Sequence, residues 1–155
     1  MYSKKYIAQV YSKIYTPSCL YFAILFLKYK SIYMKEIYKI IIIYILLILA
    51  DSIYFMFIKN LFDKQIKAIQ GSSIIINIPA FILCYIFIAI VLYYFIIREK
   101  KSILQAFLLG SCIYAIYELT NKTLFNNWKW STVFIDSIWG GLLFMIVTKI
   151  FYIKN

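Results

Sequence analysis

The chain contains no histidine. That removes imidazole-based metal sites and a Ser-His-Asp triad in its usual form. Glycine occurs four times, at Gly71, Gly110, Gly140 and Gly141, and these positions form no phosphate-cradling loop. Nucleotide binding therefore has no support. The three cysteines, Cys19, Cys84 and Cys112, lie far apart, and none belongs to a C-x-x-C pair. Cys84 and Cys112 fall inside apolar runs, where a thiol packs as a small hydrophobe, so free thiols are expected and no metal or cofactor is. Charge is scarce as well. Charged residues make up 15% of the chain, against about 25% in an ordinary soluble domain.

What fills the gap is hydrocarbon. Hydrophobic residues account for 65% of the 155 positions and aromatics for 21%. A soluble domain of this size has no way to hide that much apolar surface, which points to an integral membrane protein. The formal net charge of +11 invites a nucleic-acid reading. The lysines, however, sit between apolar runs and not along a solvated face. In a membrane chain that pattern sets orientation and touches anionic lipid head groups, so lipids are the expected partners and nucleic acid is not.

A transmembrane helix needs roughly 20 mostly apolar residues. Four stretches meet or approach that length, at about 37–58, 73–97, 102–120 and 131–153. The short connections between them predict antiparallel neighbours in an all-α, four-helix transmembrane bundle over residues 34–155. Residues 1–33 are a separate N-terminal extension. Within it, Ile14–Leu27 is apolar over only 14 residues and contains Pro17, which suits an interfacial or partly inserted segment. Met34 offers an alternative start. With four spans both termini share a side, and the basic residues outside the spans divide ten against five in favour of that side. The ten are Lys4, Lys5, Lys13, Lys28, Lys30, Lys35, Arg98, Lys100, Lys101 and Lys154; the five are Lys59, Lys64, Lys67, Lys122 and Lys129. The positive-inside rule then places both termini in the cytoplasm. Trp128 and Trp130, just before the fourth span, read as interface anchors on the far side. A homo-oligomer stays open.

Three acidic residues fall inside or at the rim of apolar spans: Asp51, Glu118 and Asp136. An acid near the centre of a span costs on the order of 2.5–3.5 kcal/mol on insertion scales. The first span can carry this, because 13 Ile, Leu or Phe residues lie between Ile40 and Ile58, each favourable by about 0.3–0.6 kcal/mol. Asp51 lies roughly 10 Å, and Asp136 roughly 8 Å, from the far-side end of its helix at the α-helical rise. Glu118 is near the far-side end of the third span, so all three share one half of the bilayer. Each also lies on the helix face richest in small, polar or aromatic groups, which should turn inward. A single such acid is as readily a joint between helices as a site. Three at one depth on three inward faces point to a polar pocket.

The segment Tyr117-Glu118-Leu119-Thr120-Asn121-Lys122-Thr123, then Trp128, then Asp136-Ser137-Ile138-Trp139-Gly140, resembles the signature of an uncharacterised group of small bacterial membrane proteins, the domain-of-unknown-function family 2177. That family shows a Y-[DE]-x-[TS]-N-x-[AT] segment, a Trp, and then D-x-x-W-G on its last helix. Asp51-Ser52-Ile53-Tyr54 is similar to its D-x-x-W element on the first helix, with Tyr54 in place of the Trp. The likeness runs from about Met34 to Phe151 and leaves residues 1–33 without a counterpart. It implies four helices and marks the same three acids, and it brings no activity with it. The candidate pocket residues are Asp51, Tyr54, Glu118, Thr120, Asn121, Asp136, Trp139 and Gly140. The leading expectation is a pocket for a small polar or cationic group, a proton or a lipid head group. The rivals are a membrane-embedded lipid-modifying enzyme using paired carboxylates, and a structural or assembly subunit in which the acids join helices. No nucleophile or metal motif accompanies the acids, so the balance leans away from an enzyme.

Overall fold

The computed structural model describes the backbone of residues 4–154 and the side chains of residues 24–29 and 34–153. The helices are α1 (Lys4–Gln70), α2 (Ile78–Leu92), α3 (Ile103–Leu124) and α4 (Trp130–Lys154), and a π-helical turn at Tyr93–Ile97 continues α2. No strand occurs among the described residues. Four of these segments are long and apolar enough to cross a bilayer, and the all-α expectation holds.

The chain divides into two compact units, residues 1–39 and 40–155. In the first, the backbone is helical from Lys4. Lys39 and Glu36 pair at 2.9 Å one turn apart, a surface contact worth a few tenths of a kcal/mol. The expected interfacial segment falls here, and the side chains of residues 1–23 and 30–33 lie outside the described residues.

The second unit holds the core. Its inward stripe on α1 steps through Ile43, Leu47, Asp51, Tyr54, Ile58, Phe62 and Gln65, at intervals of three and four. Ile43 and Leu47 are fully buried against Tyr85, Ala89 and Leu92 of α2 and Leu143, Phe144 and Val147 of α4. α3 and α4 approach most closely, through glycine. A Cβ on Gly110 would overlap the Gly140 carbonyl oxygen and come within 2.7 Å of Phe144 Cγ. A Cβ on Gly140 would overlap the Tyr114 ring, and one on Gly141 would overlap Ser111 Oγ. Contact at this range is how helices associate in lipid, where burying apolar surface gives no net drive.

Two boundaries differ from the hydropathy reading. α1 continues past Ile58 to Gln70, because its last turns are amphipathic: Phe62, Gln65 and Ile66 face inward while Lys59, Lys64 and Lys67 are exposed. A window average falls there although the 3.6-residue period persists. Gly71, at φ +76°, ends the helix, and its N–H bonds to Lys67 O at 3.0 Å. α2 starts at Ile78 and not near Ser73, because Asn77 Oδ1 accepts from Ala80 N at 3.2 Å as the N-cap. Pro79 then lies in the first turn, where its missing N–H costs nothing and no kink follows. At the other end Arg98 N bonds to Tyr93 O at 2.8 Å, a π-type i→i+5 link. A short loop through Lys100, at φ 50°, then meets a capping box in which Ser102 and Gln105 bond reciprocally.

Candidate functional site

The stripe that buries Ile43 and Leu47 carries Asp51 and Tyr54 into the same layer as Asp136 and Trp139 of α4. Asp51 Oδ1 accepts from the Trp139 indole Nε1 at 2.6 Å, and its Oδ2 accepts from the Tyr85 hydroxyl of α2. Tyr54 donates its hydroxyl to Asp136 Oδ1 at 3.1 Å. The Tyr54 and Trp139 rings stack with centroids 4.1 Å apart and 6° between planes. The two pairs therefore cross: each helix supplies one acid, and each supplies the aromatic donor for the other's acid. Spacing makes this feasible, since both pairs are three residues apart and lie on one helical face.

Glu118 lies deeper. Its side chain is fully buried, and Oε2 accepts from Trp128 Nε1 at 2.7 Å. Oε1 is buried without a donor. The Glu118 and Asp136 carboxyls are near neighbours.

The donors are all aromatic N–H or O–H groups, which bond to a carboxylate without supplying positive charge. The described residues contain two ion pairs, Lys39–Glu36 and Lys67–Asp63, and neither involves the three acids. No group of His, Cys, Asp or Glu among the described residues is arranged to hold a metal ion. Asp51, Ser52, Tyr54, Tyr85, Tyr114, Tyr117 and Asp136 form the polar part of the lining of a cavity of about 770 Å³. The rest of its lining is apolar, with Phe55 and Phe62 from α1 and Phe81 and Ile88 from α2.

The structure brings Asp51, Tyr54, Glu118, Asp136 and Trp139 together and leaves others out. Thr120 is exposed and donates to Ile116 O of its own helix at 2.7 Å, because at i+4 the hydroxyl reaches the preceding turn more easily than a neighbouring helix. Asn121 is half-buried and keeps a buried Nδ2 without a hydrogen-bond partner. Gly140 acts through space, admitting the Tyr114 ring. Trp128, read from the sequence as an interface anchor, is instead 5% exposed and turned inward on Glu118. Position relative to a span does not reveal which way a loop indole turns. Trp130 is 55% exposed. Sequence reasoning missed Tyr85, the donor to Asp51. Its i+4 relation to Phe81, on the same helix face, was the available signal. It also missed Gln65, which is 3% exposed. Gln65 Oε1 accepts from Lys129 N at 3.0 Å and Thr132 Oγ1 at 3.1 Å, pinning the end of α1 to the start of α4.

The sequence model of the family described as "Predicted membrane protein (DUF2177)" matches residues 36–153, and the chain belongs to that family. With four membrane-length apolar helices, it is an integral membrane protein. No curated protein and no solved structure matches it.

Proposed function

We propose that this DUF2177 member binds a small cationic or hydrogen-bond-donating group, such as the head group of a lipid, at the layer of Asp51, Asp136 and Glu118. One observation supports the reading above others. Three acids from three helices meet within the apolar spans with aromatic donors and no cation among the described residues, and two of them face a cavity. Intramembrane acids ordinarily pair with a cation or serve a ligand or proton path. Aromatic faces beside carboxylates also suit an ammonium group, which gains from both.

A second reading has support of its own: the acids join helices. Trp139–Asp51 and Tyr54–Asp136 each link α1 to α4, as a structural joint would. The lipid-modifying enzyme has less. No serine or threonine among the described residues donates to one of the three acids; Ser52 and Ser137 bond to carbonyls of their own helices. Residues 34–155 form the transmembrane domain in this proposal and residues 1–33 an extension. Both termini lie in the cytoplasm.

The test is ligand-dependent stability in lipid nanodiscs. Ethanolamine should raise the unfolding temperature of the wild type in a concentration-dependent way, as any ligand of the native state does. The Asp51→Asn/Asp136→Asn variant should fold and lose the response. An equal response in both proteins would remove the acids from the binding role and favour the joint.

A further inference from the structure

A small amine alone would use little of the space beside Asp51 and Asp136. The cavity of about 770 Å³ lies within the range of roughly 300–1,000 Å³ typical of sites that enclose a drug-sized molecule. Its chemistry is divided. Part of the lining is Asp51, Asp136 and their tyrosines; the larger part, from Phe62 and Ile66 of α1 to Phe81, Phe87 and Ile88 of α2, is hydrocarbon. Its lining includes Phe87, in the middle of α2 and 65% exposed. At membrane depth an opening bounded by such side chains faces lipid chains and not water. Behind the polar wall, Glu118 Oε1 is fully buried and has no donor.

We infer that the cavity takes an amine-bearing amphiphile from the bilayer, with its ammonium group against Asp51 and Asp136 and its hydrocarbon chain along Phe81 and Ile88. The inference rests on the polar-site reading above and adds the class of ligand. Charge complementarity selects the head: the wall offers carboxylates and aromatic faces, and the described residues offer them no cation. An anionic head group would meet like charge in a low-dielectric setting, where repulsion is least screened. The divided lining selects the chain. Hydrocarbon can fill the apolar part without leaving any polar group unpaired, and a fully hydrophilic ligand cannot. Lateral entry avoids carrying the chain through water.

The experiment uses the full chain in nanodiscs with two photoreactive probes, a long-chain primary amine and the matching alcohol, each with a diazirine midway along the chain. Labelled residues are mapped by mass spectrometry. The amine should label α2 at Phe81–Ile88 at least ten-fold more than the alcohol, and excess unlabelled amine should suppress it. Asp51→Asn/Asp136→Asn should bring the amine down to the alcohol's level. Ile88→Trp, which narrows the cavity without touching an acid, should also lower the labelling and covers the case in which the amide variant does not fold. If the amine labels only outward residues such as Phe57 while ethanolamine still stabilises the protein, the amphiphile falls and the polar site stands. If the alcohol labels the cavity as strongly as the amine and the amides change nothing, the acids bind nothing and both readings fall.

Discussion

At the scale of the residue, a buried acid is only as stable as its donors. Glu118 has one, the Trp128 indole, at 2.7 Å. Trp128→Phe keeps most of the ring and removes that donor, so the variant should lose about 1–2 kcal/mol against unfolding in mixed micelles. Glu118→Leu in the same background should recover most of the loss, because no acceptor is then left unpaired. If the two changes are simply additive, the bond contributes nothing. The three acids themselves were legible in the sequence, since charge inside an apolar run is conspicuous and helical spacing fixes the face. Their donors were less so. Tyr85 is one tyrosine among 16, and within its span it is marked by no more than its i+4 relation to Phe81. Trp128 stands in a loop, where no period says which way a side chain turns.

At the scale of the element, α3 and α4 act as one slab because Gly110 and Gly140 let their backbones touch. Gly140→Leu must displace the Tyr114 ring and Gly110→Leu must move the Gly140 carbonyl. Overpacking of this kind costs about 1–3 kcal/mol or more, so both variants should show reduced folded yield in membranes. Tyr114 lines the cavity, so Gly140→Leu should also alter ligand response, whereas a loss confined to yield would separate packing from the site. In the loop after α2, Lys100 holds φ 50°. Lys100→Gly should therefore leave stability unchanged or raise it by up to about 1 kcal/mol, as thermal unfolding would show. The span cores were readable from hydropathy, and the α2 cap was present in Asn77 and Pro79. The extension of α1 to Gln70 was hidden because hydropathy averages over both faces, while Gln65 and Ile66 turn inward and Lys64 and Lys67 outward by the helical period.

At the scale of the whole molecule, the basic residues flanking the spans set orientation. A reporter active only in the cytoplasm should work when fused after Asn155 and fail when inserted between Asn126 and Asn127. The opposite pattern would invert the topology while leaving the acids in a common layer, since the bonds that link α1 to α4 beside Asp51 and Asp136 are the same in either orientation. The family match carries no activity, so function has to be read from that layer and its cavity. The most direct measurement is the distance between a bound amine nitrogen and the aspartate carboxyl carbons. It can be made by solid-state NMR with ¹⁵N-ethanolamine and the protein labelled with ¹³C at its aspartates. Three aspartates are present, and Asp63, already paired with Lys67, serves as the internal control. The account predicts contacts to Asp51 and Asp136 at about 4 Å, the range of an ion pair, with the Asp51 signal lost in Asp51→Asn. Contact with Asp63 alone, or with no aspartate, would contradict it.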